Sequence, residues 1–264
     1  MTRATPPPPF LTTTVVIPVK DDADELRRCL RALALQTRAP DEVIVVDNGS
    51  SDASATVARE AGAVVVRCDT PGIPAAASAG YDAATSDLIL RLDADCLPAD
   101  SWVEAMERGF RRRPDVAAFT GGARFVDGPR PLRSSLAVAY LGAYAVAGVL
   151  ALGHLPLFGS NLAMRRTAWS RVSATVHRHD TEVHDDLDLA FHLGERFRIR
   201  SLPGAAMGIS MRPFSEGVAF ARRLNRGIRT VVLHWPRDFP PVRWERMLLR
   251  RMRHATRTRE AYER

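Results

Sequence analysis

The sequence predicts an α/β protein: a single, mostly parallel, doubly wound sheet with flanking helices, followed by a basic, mainly helical C-terminal tail. Short β-branched apolar runs alternate with amphipathic stretches over residues 12–111, and this alternation is typical of parallel strands joined by right-handed crossovers. Polar residues follow the apolar runs, as they do where strands end at a ligand-binding edge. The 264 residues are 46% apolar and 25% charged, which indicates a globular chain and excludes a disordered or collagen-like one.

Each predicted strand is an apolar run with a clear boundary. The first follows a proline-rich segment, the second ends at NGSSD, the third follows a glycine and the fourth ends in two aspartates. Proline, glycine and asparagine clusters of this kind separate regular elements. The four predicted strands are residues 12–19, 42–47, 63–68 and 87–95.

Helices are predicted in the intervals between these strands. Leucines recur at helical spacing after Asp22, and Asp22 with Glu25 has the spacing of a capping box. The NGSSD turn precedes a short second helix, and a helix of small residues follows PGIP. Ser101 and Glu104 repeat the capping-box spacing before a helix that ends near Arg111.

The pair Asp93 and Asp95 is the strongest local sign of chemistry. Two carboxylates two residues apart at a strand end can face one divalent ion and the phosphate oxygens that it bridges. Hard oxygen ligands favour Mg²⁺ or Mn²⁺ over zinc. The alternative is a strand-end turn in which the aspartates cap the next helix.

Two further features are expected on the same edge of the sheet. Asp47 ends the second strand, where its carboxylate could accept hydrogen bonds from a nucleotide base, and Pro18 and Val19 close the first strand. An Asx turn would explain Asp47 equally well, because Asp-Asn-Gly-Ser favours turns.

A second pair of acids, Asp185 and Asp186, begins the helical run HDDLDLAFHL. Acids are favourable at a helix N-terminus without any function. Placed opposite a metal-bound leaving group, however, one of them could act as a carboxylate general base.

Taken together, VVIPVKDDADELRRCLRAL, VVDNGSSD, LILRLDAD, FGSNLAMRR and HDDLDL resemble, in this order, the motifs of family 2 glycosyltransferases with the GT-A fold. The resemblance implies inverting sugar transfer from a nucleoside-diphosphate sugar, with Mn²⁺ or Mg²⁺ as cofactor. It implies nucleotide contacts at Pro18, Val19, Asp47 and Asp93, metal ligands Asp93 and Asp95, a catalytic pair Asp185 and Asp186 with Asp186 as the base, and a donor and acceptor pocket at Gly159, Ser160 and Asn161.

The sequence departs from the family pattern in ways that affect the expected substrate contacts. Lys20-Asp21 replaces the usual Tyr-Asn, and the frequent Arg-Asn before the fourth strand is absent, so Arg212 or the pair Arg222 and Arg223 is expected to contact the diphosphate. The Gln-x-x-Arg-Trp motif of processive synthases is also absent from the sequence, which favours the addition of a single sugar.

We therefore expect a transferase that adds one sugar to a hydroxyl acceptor, which is lipid-linked or part of an envelope glycan. One alternative is a sugar nucleotidyltransferase, although PVKDDAD is not the glycine-rich basic loop that such an enzyme needs. The other is a non-catalytic, membrane-associated protein on the same fold. The predicted divisions are a disordered proline-rich leader, a catalytic domain and a basic C-terminal extension, at residues 1–11, 12–211 and 212–264.

The positive charge lies in the extension. Residues 212–264 contain 14 Arg and 5 acids, a charge of +9, whereas the net charge of the whole chain is +7. Arginines alternate there with Trp244, Leu248 and Met252 at helical spacing, which predicts a helix that lies on an anionic membrane surface or docks on the catalytic domain. No reader motif accompanies the arginines, so nucleic-acid binding is not expected.

The uncharged residues 134–153 could form a buried, an interfacial or a membrane-inserted helix, because they are long enough to span a bilayer but rich in Ala and Gly. Three separated cysteines and no predicted signal peptide favour a reducing, cytoplasmic location, peripheral to the inner face of the membrane. The cysteines, Trp102 and Trp169 are expected to pack in the core. The histidines at 177, 179 and 184 are expected to be solvated or to cap a helix, because their spacing fits no zinc motif.

Overall fold

The computed structural model describes residues 10–128, 131, 133–212 and 217–262. Its strands are β1 (Thr13–Val19), β2 (Glu42–Asp47), β3 (Val64–Arg67), β4 (Leu88–Arg91), β5 (Leu97–Pro98), β6 (Val116–Phe125), β7 (Leu162–Arg165) and β8 (Arg198–Ile209). Its helices are α1 (Ala23–Ala34), α2 (Ser54–Glu60), α3 (Ile73–Ala83), α4 (Trp102–Arg112), α5 (Arg133–Leu152), α6 (Arg166–Val172), α7 (Asp185–Arg196), α8 (Gly217–Leu233) and α9 (Pro240–Tyr262). The predicted leader lies outside the described residues except for its end, where the Leu11 amide donates to Glu107 Oε1 at 3.1 Å.

One eight-stranded sheet organises the fold, in the order β3-β2-β1-β4-β7-β6-β8-β5. Strand β1 is parallel to β2 and β4, while β7 runs antiparallel between β4 and β6. The prediction of a mostly parallel sheet is confirmed. In the β1–β2 register Val19 faces Asp47, so the carboxyl ends of the first two strands lie side by side.

Both faces of the sheet are covered, which explains why its strands are continuously apolar. Because strand side chains alternate between faces, Val15 and Ile17 enter one buried cluster with Trp102 of α4. Val16 enters the other, with Trp169 of α6. Both tryptophans are therefore packing residues, as predicted, and the three cysteines are buried as predicted.

One strand boundary and two capping contacts are predicted wrongly, although Asp22 and Ser101 do precede α1 and α4 as expected. Strand β4 ends at Arg91, so Asp93 and Asp95 lie in the turn that follows it. Neither predicted capping box forms, because Asp22 and Ser101 make no side-chain cap hydrogen bond. The Asp22 carboxylate instead accepts a hydrogen bond from Arg212 at 2.7 Å, a tertiary partner that competes with the local cap.

The uncharged segment forms α5, and most of that helix is exposed. Within α5, Ser135–Leu152 is long and apolar enough to cross a bilayer, but only 17% of this segment is buried. Val138 is 72% exposed and Val146 is 62% exposed. A buried core helix, one of the three options that the sequence left open, is therefore excluded.

Helix α9 packs against α5 and α7. Arg243 of α9 is 1% exposed and donates hydrogen bonds to the carbonyl oxygens of Leu152 and Phe191 at 2.8 and 2.9 Å. The start of the predicted basic helix is thus held by the ends of α5 and α7 rather than lying free in solvent.

Candidate active site

Asp93 and Asp95 leave the carboxyl end of β4 in a tight turn, in which the Cys96 amide donates to the Asp93 carbonyl at 3.0 Å. Asp93 Oδ2 accepts a hydrogen bond from Ser160 Oγ at 2.6 Å, and Asp95 Oδ2 accepts one from Arg212 at 3.1 Å. Burial and the negative charge of Asp93 raise the pKa of Asp95. The structure therefore brings together the two predicted metal ligands and the predicted diphosphate contact, Arg212.

This pair fits a hard divalent cation. Carboxylate oxygens of Asp93 and Asp95 lie within 4.8 Å of each other. The two negative charges repel each other, and a bound cation would relieve that repulsion. Cys96 Sγ lies in the same group, but burial raises the pKa of this thiol. A neutral thiol is a poor ligand, so the two carboxylates are the residues that would hold Mg²⁺ or Mn²⁺.

A first cleft of about 270 Å³ opens at the ends of β1 and β2. Pro18 and Val19 line it as predicted, together with Lys20 and Asn48. The Asn48 amide donates to the carbonyl oxygens of Cys68 and Thr70 at 2.9 and 2.7 Å, so the floor of the cleft is tied to the end of β3. Asn48 was not predicted as a site residue, because only the aspartate Asp47 of the turn VVDNGSSD was given a role.

Asp47 does not line this cleft. Its Oδ1 accepts a hydrogen bond from the Ser50 amide at 2.9 Å, which is the turn that the sequence offered as an alternative. The expected hydrogen bond from Asp47 to a nucleotide base therefore lacks support in the geometry.

A second cleft of about 390 Å³ adjoins the first. Asp185 and Asp186 line it from the N-terminus of α7, and Tyr140 and Tyr144 line it from α5. Three arginines of α8, at 222, 223 and 226, complete its lining. The two clefts share six residues: Ile73, Asp93, Tyr140, Phe158, Ser160 and Arg223.

Asp186 is held by donors from three elements. Its Oδ2 accepts the Gly159 amide at 2.6 Å, and its Oδ1 lies 2.6 Å from His184 Nδ1 and 3.3 Å from the Tyr144 hydroxyl. Burial raises the pKa of this carboxyl, but the charge and hydrogen bond of His184, the charge of Arg91 and the Gly159 N–H lower it to about 2. The carboxylate is therefore oriented and ionised at neutral pH.

Arg91 links the two acidic pairs, and sequence reasoning missed it. Its guanidinium is almost fully buried and forms an ion pair with Asp185 and another with Asp93 at 3.0 Å. The signal was present in LILRLDAD, because a cation inside an apolar strand needs a buried partner. Burial raises the pKa of Asp185, and Arg91 opposes that shift without cancelling it.

The segment Gly159–Asn161 is a single 3-10 turn whose members play different parts. A Cβ at Gly159 would lie 2.8 Å from Arg91 Nη1 and 3.1 Å from Asp186 Oδ2, so only glycine lets these groups approach. Ser160 lines both clefts. Asn161 lines neither cleft, which corrects the prediction that it belongs to the donor and acceptor pocket. Asn161 is fully buried, and its side-chain amide donates to the carbonyl oxygens of Gly122 and Ala205.

The three histidines that the sequence singled out separate in the structure. His179 is exposed, as expected. His184 is the N-cap residue of α7, but its ring binds Asp186, and the Asp186 charge raises its pKa against the effect of burial. The His177 side chain is 37% exposed, so it is partly solvated as expected, but its Nδ1 also lies 2.7 Å from Asp188 Oδ1, a partner that the sequence did not predict.

A carboxylate pair at the carboxyl edge of an α/β sheet, with a second pair of acids in an adjoining cleft, is the arrangement of a two-substrate transferase. The chain belongs to glycosyl transferase family 2, whose family model matches residues 14–172, more than half of the chain. The matched region contains Pro18, Val19, the Asp93–Asp95 turn and the Gly159–Asn161 turn.

Curated relatives match over part of their length. Glycosyltransferase AglE of Haloferax volcanii is 33% identical over 104 residues, which are 36% of this chain and 34% of AglE. Undecaprenyl-phosphate 4-deoxy-4-formamido-L-arabinose transferase of Pseudomonas fluorescens is 37% identical over 102 residues, 34% of this chain and 29% of that protein. The chain thus matches about a third of the length of these relatives.

Solved structures share the fold. The mannosyltransferase PcManGT of Pyrobaculum calidifontis, in complex with GDP-Man and Mn²⁺, superposes with a TM-score of 0.64 at 21% identity, covering 92% of this chain and 70% of that one. Glucosyl-3-phosphoglycerate synthase of Mycobacterium tuberculosis, in complex with Mn²⁺, UDP and glucosyl-3-phosphoglycerate, superposes with a TM-score of 0.58 at 18% identity. The superposition covers 84% of this chain and 79% of the synthase. The fold is therefore that of GT-A glycosyltransferases, as the sequence predicted.

Proposed function

We propose that this chain is an inverting glycosyltransferase that transfers one sugar from a nucleoside-diphosphate sugar to the hydroxyl group of an anionic, lipid-linked acceptor. One observation carries the proposal: the cleft with Asp93 and Asp95 and the cleft with Asp185 and Asp186 share a wall at Asp93 and Ser160. A sugar at that wall would have its leaving group on one side and a base on the other.

In this proposal the first cleft binds the donor. Pro18, Val19 and Asn48 form the walls against which the nucleoside packs, and Asp93 and Asp95 hold the divalent ion. When bound, Mg²⁺ or Mn²⁺ neutralises the charge that develops on the diphosphate leaving group. Arg212, beside Asp95, supplies a second positive charge on the same side.

Asp186 supplies the base. As the acceptor oxygen forms its bond to the anomeric carbon, its proton passes to the Asp186 carboxylate, and the bond from that carbon to the diphosphate oxygen breaks on the opposite face. A single displacement inverts the anomeric configuration. A carboxylate has about four lone-pair sites, so the hydrogen bonds from Gly159 and His184 leave room for the acceptor hydroxyl.

The second cleft suits an acceptor that carries a phosphate or another anion. Arg222, Arg223 and Arg226 line it from α8, and guanidinium groups bind phosphate oxygens in a bidentate manner. The name of the relative from Pseudomonas fluorescens contains undecaprenyl phosphate, an anionic lipid, which supports an acceptor that is both anionic and lipid-linked.

The helices that form the second cleft also present apolar side chains to the outside. On α5, Val138 and Val146 are exposed, and on α8 Leu224 and Ile228 are 57% and 56% exposed. A large apolar patch beside an anion-binding cleft is typical of a lipid-facing surface. We propose, as the sequence also suggests, that the enzyme is cytoplasmic and peripheral to the inner face of the membrane, with these apolar side chains against the lipid.

Turnover of nucleotide sugars with Mn²⁺ or Mg²⁺ tests the catalytic proposal. A panel of donors is first screened for thermal stabilisation, and the donor so identified is incubated with a lipid-linked saccharide, a polyprenyl diphosphate that carries a sugar with free hydroxyl groups. We expect one sugar per acceptor with inverted configuration. Asp186→Asn should lower kcat by roughly 100-fold or more and leave donor binding unchanged, and full activity of this variant would contradict the assignment of the base.

Sedimentation with anionic vesicles tests the membrane proposal. Leu224→Glu with Ile228→Glu should release the protein from vesicles that contain phosphatidylglycerol, because two charges would enter the apolar patch. Leu35→Glu is the matched control, since Leu35 is 73% exposed but lies at the end of α1. Equal sedimentation of the double variant and the control would refute the patch as the membrane contact.

A further inference from the structure

Three histidines and one aspartate converge beside α7, outside the two clefts described above. Asp188 and His192 lie one turn apart on α7, His177 comes from the loop before that helix, and His234 follows the last turn of α8. One nitrogen or oxygen of each lies within 4.8 Å of those of the other three. Asp188 Oδ1 is 2.7 Å from His177 Nδ1, 3.2 Å from His234 Nε2 and 3.5 Å from His192 Nε2.

Of the three ring nitrogens that face Asp188, His177 Nδ1 is hydrogen-bonded to the Asp188 carboxylate, whereas the other two are not satisfied. His192 Nε2 and His234 Nε2 are buried and have no hydrogen-bond partner, and the His234 side chain is only 6% exposed. An unsatisfied buried polar atom is costly in free energy. A group that accepts lone pairs from several nitrogens at once would remove that cost.

The surrounding hydrogen bonds orient the cluster as metal ligands are oriented. His234 Nδ1 lies 2.8 Å from the Thr230 carbonyl oxygen, so Nδ1 carries the proton and the Nε2 lone pair faces Asp188. Asp188 Oδ2 accepts the His177 amide at 2.9 Å, which leaves Oδ1 directed at the three rings. Histidine ligands of metals commonly donate their other N–H to a carbonyl oxygen in this way.

We propose that Asp188, His177, His192 and His234 bind a structural Zn²⁺ ion that is separate from the ion at Asp93 and Asp95. Four ligands with three imidazoles suit tetrahedral zinc. Zinc bonds of about 2.0–2.1 Å at tetrahedral angles place neighbouring ligand atoms roughly 3.3 Å apart, close to the separations around Asp188 Oδ1. The site shares no ligand with the Asp93–Asp95 turn.

The position of the site defines its structural role. His234 lies between α8 and α9, so the ion would join the C-terminal extension to the helix that begins with Asp185 and Asp186. It would thereby fix α8, and the three arginines on it, against the second cleft. Its loss should loosen that side of the molecule without removing a group that contacts the reacting atoms.

Metal analysis of the full chain tests the proposal. The background is the double variant Asp93→Asn and Asp95→Asn, without nucleotide, so that the Asp93–Asp95 site contributes no metal. After treatment with a chelator and titration with Zn²⁺, we expect one bound equivalent and a higher melting temperature. His192→Gln and His234→Gln each remove one of four ligands and should weaken zinc binding by roughly 100-fold, the upper end of what loss of a mere orienting partner costs, whereas His179→Gln, at an exposed histidine, should not.

A measurement without substitutions in the cluster decides the matter if those variants fail to fold. Co²⁺ added to the metal-free background protein should give the intense visible bands of a tetrahedral ion with nitrogen and oxygen ligands. Either of two results would overturn the proposal: the weak visible spectrum of an octahedral Co²⁺ ion, or uptake of far less than one equivalent of Zn²⁺. The cluster would then be a carboxylate that contacts three imidazole rings.

Discussion

At the scale of single residues, Arg91 and His184 determine the electrostatics of the candidate active site. Arg91 is buried between Asp93 and Asp185, so one guanidinium joins the acid at the metal position to the acid beside the base. His184 contacts Asp186 directly. The motifs include these two residues as well as the acids, but which acid each of them pairs with became visible only in three dimensions.

Replacing Arg91 should affect both stability and activity. Arg91→Met leaves Asp93 and Asp185 without their buried partner, which should lower the free energy of unfolding by about 3–5 kcal/mol and kcat/KM by roughly 100-fold. Urea unfolding and donor turnover measure the two effects. Arg27→Met is the control, because the pair of Arg27 with Asp24 is exposed and should be worth about 0–1 kcal/mol. Equal losses in both variants would contradict the role of Arg91.

Replacing His184 should change the pH dependence of kcat/KM. The pKa of Asp186, lowered from 3.8 to about 2, means that its contribution to stability is complete above pH 3.8 and is lost as the pH falls through 2. In His184→Gln the pKa should rise by roughly 1–3 units, because a positive charge is removed. The acid limb of kcat/KM should then move to higher pH, and an unchanged acid limb would show that His184 does not tune Asp186.

At the scale of elements, close packing of α7 against its neighbours fixes the position of the helix that begins with Asp185 and Asp186. Gly194 on α7 faces His154, and a Cβ there would overlap the His154 ring. His154 Nε2 in turn lies 3.3 Å from Arg243 of α9. The periodicity of HDDLDLAFHL predicted the helix but not this contact, because the contact depends on which element packs against it.

Two glycine substitutions separate helix propensity from packing. Gly194→Ala should destabilise the protein by about 1–3 kcal/mol, since the added methyl overpacks the contact with His154. Gly142→Ala on α5, where a Cβ meets nothing within 4 Å, should stabilise by about 0.5–1 kcal/mol. Thermal and urea unfolding measure both, and changes of the same sign would contradict the packing argument.

At the scale of the whole molecule, the basic extension serves as structure as well as surface. Arg243 donates to Asp238 at 2.8 Å, and Arg237 and Arg250 pair with Glu195 of α7 at 2.9 and 3.2 Å. Asp238 is already counted in the +9 charge of residues 212–264, but Glu195 lies outside that segment, so its pairs with Arg237 and Arg250 neutralise part of this charge within the fold. The membrane contact that the sequence suggested remains a prediction, and the exposed apolar side chains of α5 and α8 now support it more than the arginines do.

Removing the buried arginine should detach the extension. Arg243→Met eliminates four hydrogen bonds in a site that is 1% exposed, and should cost about 3–5 kcal/mol and make α9 sensitive to protease. Arg250→Met, whose side chain is 48% exposed, should cost about 0–1 kcal/mol. If limited proteolysis gave the same fragments and rates for both variants, Arg243 would not be the residue that holds α9.

The sequence by itself determined the elements that rest on local pattern. Alternating apolar runs predicted β1 to β4, and polar residues after those runs located Pro18, Val19, Asp93 and Asp95 at one edge of the sheet. Both signals are readable because strand alternation and the alignment of parallel strand ends follow from backbone geometry.

Only the tertiary structure decided which groups meet across long separations in the chain. It joined Arg91 to Asp185, placed Asn161 in the core rather than in a cleft, exposed α5, and gathered His177, Asp188, His192 and His234. Contacts of this kind depend on how elements pack, and side chains that are far apart in sequence carry no periodic signal of their partners. The acids were therefore predictable, whereas the partners that set their charge and the histidine cluster beside them were not.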